Sequence, residues 1–229
     1  MGIHSFPPIN TADENGLLAL GGDLEISSLE LAYRNGIFPW PLDDSHLLAW
    51  FSPNPRGILF YKDLRISKSL SKLVRKGTYT VKFNTEFEKV INLCASISRK
   101  NNPGTWITKK IIKSYIELFH NNHAYSVEVY NSDRLVGGLY GVNFGWSISG
   151  ESMFYLESNT SKIALIYLME HLYANGILWL DTQMVTPVVS QLGGKEICRE
   201  HFIEMLKQSQ EKINDPTQLF SNFKSTKIK

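Results

Sequence analysis

The chain has 229 residues, 43% of them apolar, and a formal net charge of +2. That composition supports a folded, water-soluble protein with a real core and excludes a polycation, so attraction for nucleic acid has to come from a local patch. Two cysteines, Cys94 and Cys198, with no CxxC and no His cluster at ligand spacing, fit a reducing compartment and give no zinc site.

The N-terminus MGIHSFPPIN lacks a basic stretch followed by an apolar one, so no secretory signal is expected. Phe6 stands where an acylation motif needs Ser or Thr. No run approaches the ~18 apolar residues that a membrane span needs. The expectation is a cytoplasmic protein. Residues 3–60 are dense in turn formers, with one short helix fitting between Ser27 and Asn35, capped by Ser27 or Ser28 and ended by Gly36. They are expected to form a small α+β unit offering Trp40, Trp50 and Phe51 to a cleft.

A strand is predicted over 57–61 and a helix from Ser67 through Lys76. Around that helix Lys62, Arg65, Lys68, Lys72, Arg75 and Lys76 recur at spacings of three and four, with Asp63 the one acid. The stripe is either a solvated face or a phosphate-binding surface; six cations against one acid in a nearly neutral chain favour the second. A strand follows over 79–83, then a helix over 87–96 with Phe87, Val90, Ile91 and Cys94 on one side, which makes Cys94 a core thiol. Asn101 to Gly104 form a loop. Thr108 caps a helix through His120, with Ile111, Ile112, Tyr115 and Leu118 inward. Trp106, just before it, reads as a core anchor when taken alone.

Strands are then expected over 124–130, 135–141 and 143–149, a helix over 162–175, a strand over 177–183, a helix over 196–207 and a polar tail. Glu151, in the apolar run GESMF, is a charge that is expensive to bury unless paired or used. On the strand 177–183, Trp179, Asp181 and Gln183 share one face. Either Asp181 and Gln183 mark a strand end near water, or they are buried and have work to do. No GxSxG elbow, HExxH or Walker loop is present, so a transfer reaction would have to start from an activated substrate.

Ten strings, in order, then carry a resemblance: FPP (6–8), NGLLALGGDL (15–24), AYRNGIFPW (32–40), WFSPNPR (50–56), TWIT (105–108), SVEVY (126–130), LVGGLYGV (135–142), GESMF (150–154), SK-AL (161–165) and DTQ (181–183). Together they resemble the leucyl/phenylalanyl-tRNA–protein transferase family. The resemblance implies an α+β protein, with a small N-terminal α+β domain (1–61) packed on a domain (62–207) similar to the GNAT acyltransferase fold. That second domain would have a mostly antiparallel sheet with flanking helices, and a tail (208–229) would follow. It implies transfer of Leu, Phe or Met from aminoacyl-tRNA to a protein beginning in Arg or Lys, marking it for N-end-rule degradation, with no cofactor or metal, no membrane, and a monomer.

Roles carry over by the matching positions. Gln183 would orient the incoming amine, with Asp181 polarising it or accepting charge. Trp50 and Trp106 would stack on the terminal adenosine. Leu139, Ile148 and Met153 would line the aminoacyl side-chain pocket, Ser161 would join the substrate-binding set, and Glu151 would meet the ammonium of donor or acceptor. Arg65, Lys68, Lys72, Arg75 and Lys76 would hold the tRNA backbone. The chain departs from the family's pattern at Phe51, Tyr125, Tyr130, Thr182, Val188, Gln191 and Gly194. Two other readings compete: an acyl-CoA-dependent N-acetyltransferase, disfavoured by the lack of a Gly-rich pyrophosphate loop, and a non-catalytic RNA-binding module.

Overall fold

The computed structural model describes residues 2–42, 47–97, 106–145, 147–211 and 219–220. The expected loop Asn101–Gly104, Trp146 and most of the tail lie outside them.

The first elements are the strand β1 (Leu17–Leu20), helix α1 (Ile26–Arg34) and strands β2 (Phe38–Leu42) and β3 (Leu47–Phe51), with the three strands forming an antiparallel sheet in the order β1-β3-β2. α1 does not take its cap from Ser27 or Ser28. The Ser28 hydroxyl donates to Asp23 (2.6 Å) and accepts from the Ile3 amide (2.8 Å), which ties the N-terminal segment down instead.

The next strand, β4 (Arg56–Phe60), belongs to a second and larger sheet, which also contains β5 (Tyr79–Phe83), β6 (Ala124–Asn131), β7 (Arg134–Asn143), β8 (Ile148–Tyr155), β9 (Trp179–Gln183) and β10 (Lys195–Ile197). Its order is β10-β4-β9-β8-β7-β6-β5. All its neighbours are antiparallel except β8 and β9, which run parallel and pair at Ser149 and Asp181.

Helices α3 (Phe87–Ser96), α4 (Lys109–His120) and α7 (Arg199–Gln210) cover one face of that sheet together with α1, around Tyr33, Trp50, Phe87, Tyr115, Tyr140 and Phe202. Helix α5 (Thr160–Ala174) and the amphipathic α2 (Lys68–Arg75) cover the other face, around Leu70, Val127, Leu139, Leu165 and Leu180. The α+β expectation holds: a small N-terminal sheet beside a larger, mostly antiparallel one.

Two helix caps stand where expected, with the Ser67 hydroxyl accepting from the Leu70 amide and Thr108 from the Ile111 amide. The third strand of the meander does not. Asn143 Oδ1 accepts from the Gly145 amide (2.9 Å), Gly145 takes a φ of +80°, and the chain turns where a strand over 143–149 was expected. The strand starts at Ile148 instead and carries the whole GESMF run. After β9 two short elements were missed, α6 (Pro187–Gln191), capped by the Thr186 hydroxyl, and β10, which is recruited by pairing with Arg56–Ile58 rather than by any periodicity of its own. The last helix therefore opens at Arg199, not Glu196.

Candidate active site

Where β7 meets β8 the register slips. Tyr140 faces Ser152 and Gly141 faces Gly150, so Glu151 is the extra residue of a bulge, a device that releases a side chain from the ladder and re-aims it. Gly141 makes this close approach possible, since a Cβ there would sit 1.9 Å from the Ser149 carbonyl oxygen. Tyr125 donates to that same carbonyl at 2.9 Å.

Glu151 Oε1 accepts three hydrogen bonds: from the Ser149 hydroxyl (2.6 Å), the Tyr33 hydroxyl of α1 (2.9 Å) and Gln183 Nε2 (2.8 Å). Tyr33 also shares a hydrogen bond with Tyr115 of α4 (2.8 Å). Burial pushes the Glu151 carboxyl up to about 7, raised further by Asp181 and restrained by those three donors. Tyr33, Tyr115 and Tyr125 are themselves held well above the phenolic range, mainly by burial and also by the Glu151 charge, so all three stay neutral donors.

Asp181 is held differently. Arg56 grips it with both arms, Nε to Oδ1 (2.9 Å) and Nη2 to Oδ2 (2.6 Å), while Nη1 donates to the Gly36 carbonyl (2.9 Å). The guanidinium is sandwiched between the rings of Phe38 (5.0 Å) and Phe202 (4.4 Å). Such a fork is the geometry in which a buried pair is best satisfied. Asp181 Oδ1 also accepts from the Gln183 amide (2.9 Å), bending the strand end so that Gln183 takes a φ of +59° and its carboxamide reaches Glu151. Of the three, Asp181 is 1% exposed, Gln183 5% and Glu151 9%. Asp181 is thus no water-facing strand end; it is a buried, paired anchor.

The arrangement is a carboxyl poised between its two ionisation states, beside a carboxamide whose orientation an ion pair dictates. It lies, among the described residues, beside the pairing of the two parallel strands β8 and β9 at Ser149 and Asp181. Among the described residues no cluster of His, Cys, Asp and Glu could hold a metal, and no helix is long and apolar enough to cross a membrane.

Residues 58–207 match the family model described as leucyl/phenylalanyl-tRNA protein transferase, and residues 22–54 match the model of that family's N-terminal domain. The chain belongs to the leucyl/phenylalanyl-tRNA protein transferase family. The leucyl/phenylalanyl-tRNA–protein transferase of Flavobacterium johnsoniae is 44% identical over 202 residues, covering 88% of this chain and 95% of the relative. That of Hydrogenovibrio crunogenus is 45% identical over 209 residues, covering 90% and 81%. Among solved structures, a GCN5-related N-acetyltransferase from Kribbella flavida is 11% identical with a TM-score of 0.37, covering 74% of this chain and 60% of that one.

In this transferase-family chain the sequence-derived site residues fall into separate groups. Glu151, Asp181 and Gln183 come together as described. Leu139, Ile148 and Met153 belong to the core under α5, on the other face of the sheet, and Ser161 opens α5 there. Trp106 stacks on Trp40 with ring centroids 4.8 Å apart. Trp50 does not open on a cleft: it is 1% exposed, lies against Phe6 and donates from Nε1 to the Gly21 carbonyl. Arg65, Lys68, Lys72, Arg75 and Lys76 are all exposed along α2 and its approach. Two hollows elsewhere, one of about 870 Å³ lined by Phe60, Lys62, Trp179 and Lys195, and one of about 680 Å³ lined by Gly22, Thr108, Lys110 and Lys113, do not include Glu151, Asp181 or Gln183.

Sequence reasoning missed Arg56, Tyr33, Tyr115 and Ser149. One signal was available for the first: Arg56 opens the apolar strand RGILF, and a lone cation there is as anomalous as the lone Asp181.

Proposed function

We propose that this chain moves Leu, Phe or Met from aminoacyl-tRNA to the α-amine of a protein beginning in Arg or Lys, working as a cytoplasmic monomer and marking that protein for N-end-rule degradation. The observation that carries this reading, beside family membership, is the Glu151–Gln183 pair clamped by Asp181 and Arg56. An aminoacyl ester is already activated, so aminolysis needs positioning and a place for a proton, not a covalent intermediate.

Gln183 Oε1 is the atom suited to accept from the incoming ammonium or amine, because Nε2 is already committed to Glu151. A carboxamide is too weak a base to take the proton itself, so its part is orientation. Asp181 acts through Gln183 by fixing its backbone. The stacked Trp40–Trp106 pair is the aromatic surface assigned to the terminal adenosine, with Trp50 supporting the Gly21 turn behind it. Met153, half-buried and packed under α5 on the sheet face away from Glu151, is not assigned to the aminoacyl pocket. We assign the domains to 1–61 and 62–207, the second recruiting β4 (Arg56–Phe60) of the first into its sheet, followed by the tail 208–229.

The deciding experiment incubates the chain with labelled Leu-tRNA and a protein beginning in Arg. Label should appear at the new N-terminus, and labelled acetyl-CoA should give none. Replacing Lys68, Lys72 and Arg75 together by Ala should weaken tRNA binding and reduce the slope of log affinity against log salt by about 2–3, as filter binding at several salt concentrations would show. An unchanged slope would make the α2 stripe a solvated face.

A further inference from the structure

We propose that Glu151 is the group that shuttles the proton during aminoacyl transfer, and that Tyr33 is a positioning residue that holds Glu151 for this step. The inference rests on the function proposed above and assigns the proton route within it. Asp181 is the other carboxylate in the cluster, but its two oxygens are occupied by Arg56 and the Gln183 amide, and it is the most deeply buried of the three. Glu151 is different. Its hydrogen bonds from Ser149, Tyr33 and Gln183 all go to Oε1, and the residue keeps 9% of its surface open. Among the described residues no hydrogen bond goes to Oε2, the oxygen this proposal assigns to the substrate.

The bonds balance as follows. The acceptor arrives as the neutral amine, and its nitrogen attacks the ester carbonyl carbon. As the C–N bond forms, the ionised Glu151 takes one proton from that nitrogen. The tetrahedral intermediate then collapses, the bond from carbon to the ribose oxygen breaks, and Glu151 gives the proton to that oxygen. An amide and a free ribose hydroxyl leave, with Glu151 ionised again.

The groups facing Glu151 fit this cycle. Tyr33 from α1, Tyr115 from α4 and Tyr125 from β6 are neutral hydroxyls, Ser149 and Gln183 are uncharged donors, and the one charge nearby, Asp181, is neutralised by Arg56. A carboxyl at about 7 is near the range of a leading α-amine, about 7.7–8.0, so proton exchange between them is nearly level in energy. Tyr33 is one of the groups that lowers the Glu151 value, so removing its hydroxyl should raise it.

The test measures single-turnover transfer from labelled Leu-tRNA to peptides beginning in Arg, from about pH 5.5 to about 9, with two peptides whose leading amines differ in pKa. The acid limb should contain one ionisation near 7 that stays put when the peptide is changed. Glu151→Gln should remove that ionisation and slow transfer by about 10²–10⁴-fold while Leu-tRNA still binds. Tyr33→Phe should keep most of the alkaline rate and move the limb to higher pH. Should Glu151→Gln fail to fold, the Tyr33→Phe profile and an infrared titration of the wild-type carboxyl decide the matter. A Glu151→Gln rate within about threefold of wild type, or an unmoved limb in Tyr33→Phe, overturns the assignment while leaving the transferase reading intact. Absence of transfer by the unaltered chain removes both.

Discussion

Replacing Arg56 by Ala should destabilise the fold by about 3–5 kcal/mol and abolish transfer. The cost comes from what remains rather than from what is removed. Asp181 would be left 1% exposed with a charge and no counter-ion, and the guanidinium's place between Phe38 and Phe202 would be empty. A domain of this kind commonly has only about 5–15 kcal/mol in hand, so the variant should unfold at a visibly lower urea concentration. Exchanging both partners, Arg56→Met with Asp181→Leu, should recover most of the stability, because an apolar pair of similar bulk carries no desolvation penalty. It should recover none of the activity, since nothing would then hold the Gln183 amide and aim its carboxamide at Glu151. If the double variant is no more stable than Arg56→Ala, the ion pair is not the source of the loss.

Glu151→Gln should make the protein more stable at pH 8, by on the order of 3 kcal/mol, and should make little difference at pH 5. The sign follows from the raised carboxyl, at about 7 in the folded chain against the usual value near 4.5 in the unfolded one. The folded state therefore holds its proton more tightly. Stability associated with this group is fully present below about 4.5, declines as pH rises, and is lost above about 7. A carboxamide has no proton to lose, and its single oxygen can keep accepting from Tyr33, Ser149 and Gln183. Urea unfolding at the two pH values measures the difference directly, and equal stability at pH 8 would mean that the Glu151 charge is not buried at a cost. A residue that weakens the fold where the enzyme works is expected at a site selected for reactivity.

What the sequence made legible depended on how far apart the interacting residues are. Helix spans of about three turns, such as Phe87–Ser96 and Lys109–His120, declare themselves by their own apolar spacing and caps. Glu151 and Asp181 were visible as charges too expensive for their neighbourhoods. Their partners were not: Arg56 lies 125 residues from Asp181, and Tyr33 lies 118 from Glu151, and no local pattern links residues at such separations. Trp50 misled for the related reason that a ring's exposure depends on what folds over it, here Phe6 and the Gly21 turn. The short β10 has no pattern of its own and exists because Gly57 and Ile58 offer it a ladder. The strand expected over 143–149 shows the limit of alternation, since an Asn–Phe–Gly turn satisfies it equally well.

The place of β4 in the larger sheet has a consequence for how the chain is made. Its neighbours are β9 and β10, so Gly57 waits for Gln183, and Arg56 waits for Ile197 as well as for Asp181. At about 5–20 residues per second the ribosome needs about 6–25 seconds to supply the first of these after Gly57 has emerged. Throughout that interval the segment RGILF has neither of its two ladder partners, and Arg56 has no Asp181. A nascent chain that stops before Trp179 therefore lacks the strand on which β4 is paired.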